Sequence, residues 1–361
     1  MKVAHFLKHF EPGGIEKWLV DFTKENHNRG DVLELSYILQ SKEVAFFDEE
    51  ITSNGGELIK LNYSPKEIFS YLFNVYKVLK KGQFDVVHAH FYHFSGILLF
   101  VAFLAGVKVR VSHCHNDKSS VYVNSKLPKK AYLKVCQFLN DTFSNQKISV
   151  SESASSSLFR NTHNVSIIPC GLHFDKFDVE KNTKSKKVRL VNVGSYSEQK
   201  NHMFMLDIAK ELKVRNIDFQ LSFIGDGPLK EDINNRITEY ELNSEVLLLG
   251  KRNDVQYILS HECDFFIFPS LFEGLGLAAV ESQYYGATTI ASNCLPQELN
   301  LSGYFHTLPI SSESVCDWAD SIVNLSKDNS ANEVRECRDK ISSSNMSIVN
   351  NFKAILDIYR K

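Results

Sequence analysis

Two rhythms of apolar residues alternate along this chain. Short, nearly unbroken apolar runs lie at 3–7, 33–39, 58–61, 84–88, 107–113 and 148–150, and each reads as a buried strand. Between them the spacing becomes helical. Residues 15–28 follow Gly13-Gly14, and within 65–81 the apolar positions Ile68, Tyr71, Leu72, Val75, Val78 and Leu79 recur every three to four residues. Ser151-Glu152-Ser153 follows the sixth run and predicts a capped helix start rather than a linker.

The second half repeats the alternation. Strands are expected at 189–193, 219–224, 246–249 and 265–268, and helices at 203–212, 229–240, 255–260 and 277–285. Strands that alternate with helices predict an α/β protein of parallel sheets with helices on both faces. The hydrophilic stretch 175–187 separates the halves, giving an N-terminal domain over 1–172 and a C-terminal domain over 188–343. In the remainder, 344–361, Phe352, Ile355, Leu356 and Tyr359 share one helical face, so this last helix must pack on something, and the N-terminal domain is the expected place. Two doubly wound domains facing one another put the default ligand site beyond the carboxyl ends of the strands, in the cleft between them.

A chain of 361 residues accommodates these two domains. No apolar stretch reaches the ~18 residues of a membrane span; the longest, 97–109, is too short and is interrupted by Lys108. No secretory signal is visible, and the seven cysteines are scattered without a CxxC pair, so reduced thiols in a cytoplasm are expected and structural zinc is not. Residues 1–185 carry a balance of +4 and the remainder −6, too little for a nucleic-acid partner. That asymmetry allows the first half to lie weakly against an anionic membrane surface. Lys126, Lys129, Lys130 and Lys134, interleaved with Leu127, Tyr132, Leu133 and Val135, form either such a helix or an ordinary solvated face.

Residues with candidate chemistry follow the strands. Gly13-Gly14 opens a helix and is either a tight turn or an anion site. Lys200 follows the first strand of the second half. Glu273 and Glu281 flank a glycine-broken turn, Gly274-Leu275-Gly276-Leu277, where packing gains nothing from charge. Gly274-x-Gly276-x-x-Ala279 formally matches a dinucleotide fingerprint, but that motif belongs in the first strand–helix turn of its domain and this one comes after several.

Several segments, in order, resemble one family. "FPSLFEGLGLAAVES" is similar to the Glu-x7-Glu signature of family 4 retaining glycosyltransferases, which have the GT-B fold. "FLKHFEPGGIEKWLVDF" resembles that family's glycine loop, "FDVVHAHFYHFSG" and "VRVSHCHND" its histidine-bearing strand ends, and "IIPCGLHFDKF" its interdomain segment. "VNVGSYSEQKNHMFMLDIAKEL", "FIGDGPLKEDI" and "LLLGKRNDVQYIL" resemble three consecutive donor-domain motifs. The resemblance implies a hexosyltransferase that uses a nucleoside-diphosphate sugar, of the UDP type, and a glycan or lipid-linked acceptor in bacterial polysaccharide synthesis, at the inner face of the membrane.

The likeness also implies roles. Glu281 would accept hydrogen bonds from ribose hydroxyls, Glu273 would lie near the hexose, and the N–H groups of Gly274, Leu275, Gly276 and Leu277 would meet sugar and diphosphate, with Gly14 contributing from the other domain. An ideal helix would separate the two glutamates by ~12 Å. Lys200 matches the family's phosphate lysine, whereas Ser195 stands where the family has an arginine; Arg252 is the candidate replacement. His115 matches the catalytic histidine, with His113 the alternative because "HCH" leaves the register open by two, and His88, His90 and His93 would be structural or shape the acceptor side rather than act in catalysis. There is no Asp-x-Asp pair, so neither cofactor nor divalent metal is expected. The competing readings are a GT-B sugar-nucleotide 2-epimerase and a non-catalytic partner subunit.

Overall fold

The structure, a computed structural model, describes residues 1–117, 126–175, 187–325 and 329–361. They form two compact units, Met1–His173 with Ser344–Lys361, and Phe174–Ser343. Of the expected linker, residues 176–186 lie outside the described residues.

The first unit runs β1 (Lys2–Leu7), α1 (Gly14–Asn28), β2 (Glu34–Leu39), α2 (Asp48–Ser53), β3 (Glu57–Lys60), α3 (Ile68–Gly82), β4 (Val86–Ala89), α4 (Ser95–Ala105), β5 (Val109–Cys114), α5 (Leu127–Phe143), β6 (Gln146–Ser149), α6 (Glu152–Leu158) and β7 (Ser166–Ile167). Its sheet is parallel, in the order β3-β2-β1-β4-β5-β6-β7. The order reverses between β1 and β4, and such a switch point is where doubly wound sheets bind ligands.

Most strand boundaries of this unit shift by a residue or two from expectation, and two of the shifts matter for the site. The run at 84–88 becomes Val86–Ala89, which puts His88 inside β4 with His90 just beyond it. The run at 107–113 becomes Val109–Cys114, because α4 takes the preceding apolar residues and ends at Gly106 in the left-handed region, φ +87°. Residues 95–105 are apolar almost all round, so periodicity alone did not mark them as a helix. Ser151 does cap α6, its Oγ accepting from the Ala154 N–H at 3.3 Å.

The second unit runs β8 (Val188–Val193), α7 (His202–Val214), β9 (Phe219–Ile224), α8 (Lys230–Glu239), β10 (Val246–Gly250), α9 (Val255–His261), β11 (Phe265–Phe268), α10 (Leu277–Tyr284), β12 (Thr288–Ser292), β13 (Phe305–Leu308), α11 (Val315–Asn324) and α12 (Ala331–Ser343). Its parallel sheet has the order β10-β9-β8-β11-β12-β13, with the switch between β8 and β11. Leu190, Leu221, Phe223, Phe265 and Ile267 of the sheet pack with Leu206, Leu212 and Trp318 of the helices.

The last helix, α13 (Ile348–Tyr359), belongs to the first unit. Phe352 and Ile355 are fully buried, each contributing ~1.5–3 kcal/mol. The Phe352 and Phe22 rings lie 4.8 Å apart, and Trp18 Nε1–H donates to Asn351 Oδ1 at 2.8 Å. Gly171 permits this contact, since a Cβ there would fall 2.4 Å from Asn351 Cβ.

Candidate active site

In the second unit, Lys200 and Glu273 follow the two strands that flank the switch point. Lys200 lies beyond β8 and Glu273 beyond β11, and Lys200 Nζ donates to Glu273 Oε1 at 2.5 Å. Both side chains are largely buried, at 14% and 7% exposure, so removing either partner strands a charge. Glycines make room for this arrangement. A Cβ on Gly194 would strike Lys200 Cε at 2.9 Å, and one on Gly225, at φ +146°, would come within 2.0 Å of Gly194 O.

Glu273 and Glu281 do not lie on one helix. Residue Gly276, at φ +88°, caps α10, so only Leu277 onward is helical and the ~12 Å ideal-helix spacing does not apply. Leu275 is buried in the turn. Glu281 lies on the buried face of α10 and accepts from Gln256 Nε2 at 3.5 Å, while Tyr285 Oη–H donates to Gln256 Oε1 at 2.5 Å. Gln256, on α9, escaped sequence reasoning because nothing in its neighbourhood distinguishes it from a solvated helix residue.

Arg252 and Ser195 are exposed, unlike the buried pair. Arg252 is held by Asp254 through Nε at 2.8 Å and Nη2 at 2.5 Å, and this exposed pair already neutralises the guanidinium. Ser195 is exposed and shares a hydrogen bond with Ser197 Oγ at 3.1 Å.

In the first unit, strand register gathers five histidines. His5 of β1 sits opposite His88 of β4, and His88 opposite Val111 of β5, so His90 and His113 occupy the next row, with His115 one row further on. Side chains two apart share a face of the sheet. All five therefore project to one side, where Trp18, Phe22 and Tyr359 pack on them. Burial lowers every one of the five below the ordinary imidazole range, His5 and His115 to about 3. His93 lies on the turn after β4, half-buried, and its carbonyl accepts from Asn140.

Gly14 begins α1, and the Glu16 carboxylate folds back over Gly13, filling the space a Cβ would take at 2.3 Å. Burial raises Glu16 to about 7, against the pull of its own backbone hydrogen bond and of Lys8. Two histidine triads, His5/His88/His90 and His90/His113/His115, each bring ring nitrogens within 4.8 Å of one another. The scattered cysteines gave no hint of such clusters. The rings bond nearly all these nitrogens to each other and to Tyr359 and Cys170.

Two parallel-sheet units, with charged residues beside the switch point of one and histidines lining the face of the other, agree with what family comparison finds. The family model for Glycosyltransferase Family 4 matches residues 12–176, and that for Glycosyl transferases group 1 matches residues 174–342. The chain belongs to the family 4 glycosyltransferases.

This glycosyltransferase is 29% identical over 337 residues to the capsular polysaccharide biosynthesis glycosyltransferase CapH of Staphylococcus aureus, covering 90% of each chain. It is also 29% identical over 314 residues to the UDP-Gal:alpha-D-GlcNAc-diphosphoundecaprenol alpha-1,3-galactosyltransferase of Escherichia coli, covering 80% of this chain and 78% of that one. Its fold is GT-B. The Anabaena HepE structure in complex with UDP-glucose matches with a TM-score of 0.77 at 17% identity, over 99% of both chains. Sucrose-phosphate synthase from Thermosynechococcus elongatus matches at 0.78 and 15%, over 99% of this chain and 98% of that one.

Proposed function

We propose that this glycosyltransferase moves a hexose from a UDP-sugar to a glycan or lipid-linked acceptor during synthesis of a surface polysaccharide, with retention of anomeric configuration. The observation that carries the reading is the buried Lys200–Glu273 pair beside the switch point of the second unit. The names of the relatives support a UDP-sugar, a capsular product and a diphosphoundecaprenol-linked acceptor.

In this account the donor diphosphate draws Lys200 away from Glu273, and the freed carboxylate turns to the hexose. Glu281 accepts from the ribose diol, supported by Gln256. The N–H groups of residues 274–277 approach sugar and diphosphate where glycine leaves room. The leaving phosphate helps deprotonate the incoming hydroxyl on the same face, and Lys200 stabilises the charge that builds there, without a divalent metal. Gly14 contributes to the donor side, and His115, just beyond β5, acts on the acceptor side, with His90 and His113 shaping that region.

Among the described residues no helix is long and apolar enough to cross a membrane. We assign the contact with a membrane instead to α3, α4 and α5. α5 exposes Leu127, Tyr132, Val135 and Phe138 among its lysines, while Leu133 turns inward. The neighbouring helices expose Phe69, Phe73, Phe103 and Leu104, with Lys77 Nζ 4.3 Å from the Phe73 ring centroid. Apolar rings beside lysines suit an anionic inner leaflet.

A panel of nucleotide sugars, screened for thermal stabilisation of the purified chain, tests the donor. A UDP-sugar at ~100 times its Kd should add ~2.7 kcal/mol of stability, while stabilisation by none of the panel sinks the reading. Conversion of the sugar nucleotide to its epimer without acceptor would replace it with the epimerase.

A further inference from the structure

The histidines of the first unit do more than fill space. Their hydrogen bonds run in a single unbranched path. Cys170 Sγ lies 3.4 Å from His115 Nδ1, His115 Nε2 is 2.9 Å from His90 Nδ1, and His90 Nε2 is 3.0 Å from His5 Nδ1. His5 Nε2 is 3.4 Å from Tyr359 Oη, which is 2.7 Å from His88 Nδ1, and His88 Nε2 is 3.0 Å from His113 Nδ1. The path stops at His113 Nε2, which is buried and has no partner.

A neutral imidazole has one N–H and one bare nitrogen. If one ring accepts through Nδ1, it must donate through Nε2, and the next ring is forced to do the same. The phenol passes the order on, because its single hydrogen goes to one histidine while its oxygen accepts from the other. Only two fully bonded orders exist, one with all five rings protonated at Nε2 and one with all five protonated at Nδ1. A reversal between the two arms is possible only at Tyr359, and it leaves buried and unbonded either the phenol hydrogen, where both rings donate, or one ring nitrogen, where both rings present a lone pair.

We propose that Cys170, the five histidines and Tyr359 form one hydrogen-bonded chain of a single polarity, which holds His115 in its Nε2–H form. The direction comes from the cysteine end. A thiol donates S–H to His115 Nδ1, whereas sulfur is a weak acceptor for the opposite order. Burial, with Glu16 nearby, keeps Cys170 in the thiol form. The short Tyr359–His88 contact is that of a phenol donating to a ring nitrogen. The unpartnered His113 Nε2–H then marks the end of the chain. Tyr359, from the last helix, and Cys170, from the segment after β7, are thus positioning residues for His115, which neither substrate nor solvent need touch for them to act.

Long-range proton–nitrogen spectra of the full chain labelled at histidine, at neutral pH, read the tautomers directly, with single His→Gln variants for assignment. All five rings should show Nε2–H. An Nδ1–H form at His5, His90 or His115 in the unaltered protein overturns the proposal without any variant. Cys170→Ala removes the donor that sets the order, so the Nδ1–H form should rise at His115, His90 and His5 together, and Cys170→Ser should restore the original order. A change confined to His115 also overturns it. A kinetic consequence rests on the proposed acceptor-side role of His115. Cys170→Ala should then lower kcat with little change in donor KM, and Cys170→Ser should recover it. Shifted tautomers with unchanged kcat would leave the chain standing and remove His115 from catalysis.

Discussion

Acidification should destabilise the first unit well before ordinary carboxylate titration begins. His5 and His115 titrate near 6.5 in an unfolded chain, but burial lowers both to about 3 in the fold. The unfolded chain therefore binds more protons below pH 6.5, and the stability present above that pH is lost as pH falls through it. At pH 5.5 each such imidazole costs ~1.4 kcal/mol, and the two together ~3 kcal/mol. His88, His90 and His113 are displaced in the same direction, again chiefly by burial, and deepen the loss, whereas Glu16, raised to about 7, takes up its proton first in the fold and returns ~2 kcal/mol between pH 7.5 and 5.5. Against a typical domain stability of ~5–15 kcal/mol the histidine loss is a large fraction.

Trp18 provides the probe, since its ring centroid lies 5.2 Å from that of His113. The chain has two tryptophans, and Trp318→Phe silences the other, which is in the second unit. Urea unfolding followed by Trp18 fluorescence at pH 7.5, 6.5 and 5.5 should show a midpoint that falls ever more steeply. In a Glu16→Gln background, which removes the opposing carboxyl, a loss below ~1.4 kcal/mol across that range, the share of a single imidazole, would refute the burial of uncharged histidines as the cause.

Further outcomes follow from the second unit and from the surface. Glu281→Ala should weaken donor binding by ~1–3 kcal/mol with folding intact, and unchanged calorimetric affinity would remove Glu281 from the ribose. Lys200→Ala should nearly abolish transfer and also lower the melting point, because Glu273 is left buried and unpaired at a cost of ~3–5 kcal/mol. Turnover within a few-fold of the parent would displace the diphosphate from Lys200. Transfer should persist in excess chelator; loss that magnesium reverses would show a metal at work. Sedimentation with anionic vesicles should exceed that with neutral ones and fade with salt, and Phe73→Ser with Phe138→Ser should weaken it; equal binding to both vesicle types removes the membrane face.

The parallel-sheet architecture was legible because each buried strand is a compact apolar run and each helix has an amphipathic period. The exceptions were α4, whose apolar surface goes nearly all round and hides its period, the helices α2, α11 and α12, and the strands β7, β12 and β13, which are short or mix polar residues into their runs. Lys200 and Glu273 were legible as residues at strand ends, yet their pairing was not. They are 73 positions apart in sequence and meet only because β8 and β11 are neighbours in the sheet. The histidines show the same limit more sharply. Their i, i+2 spacing in "HAH" and "HCH" signals a shared face, but only the register of three adjacent strands reveals that His5 joins them. Glu16 carries no sequence signal of its own, and only its burial, with the carboxylate folded over Gly13, sets its acidity apart.

The most direct test of the central claim is the anomeric configuration of the transferred sugar. The purified chain is given an α-linked UDP-hexose and a diphosphoundecaprenol-linked acceptor, and the product is read by proton NMR at its anomeric centre. The account predicts acceptor-dependent release of UDP and a product with the α configuration preserved. A β-linked product, or release of UDP that leaves the acceptor unmodified, would contradict it.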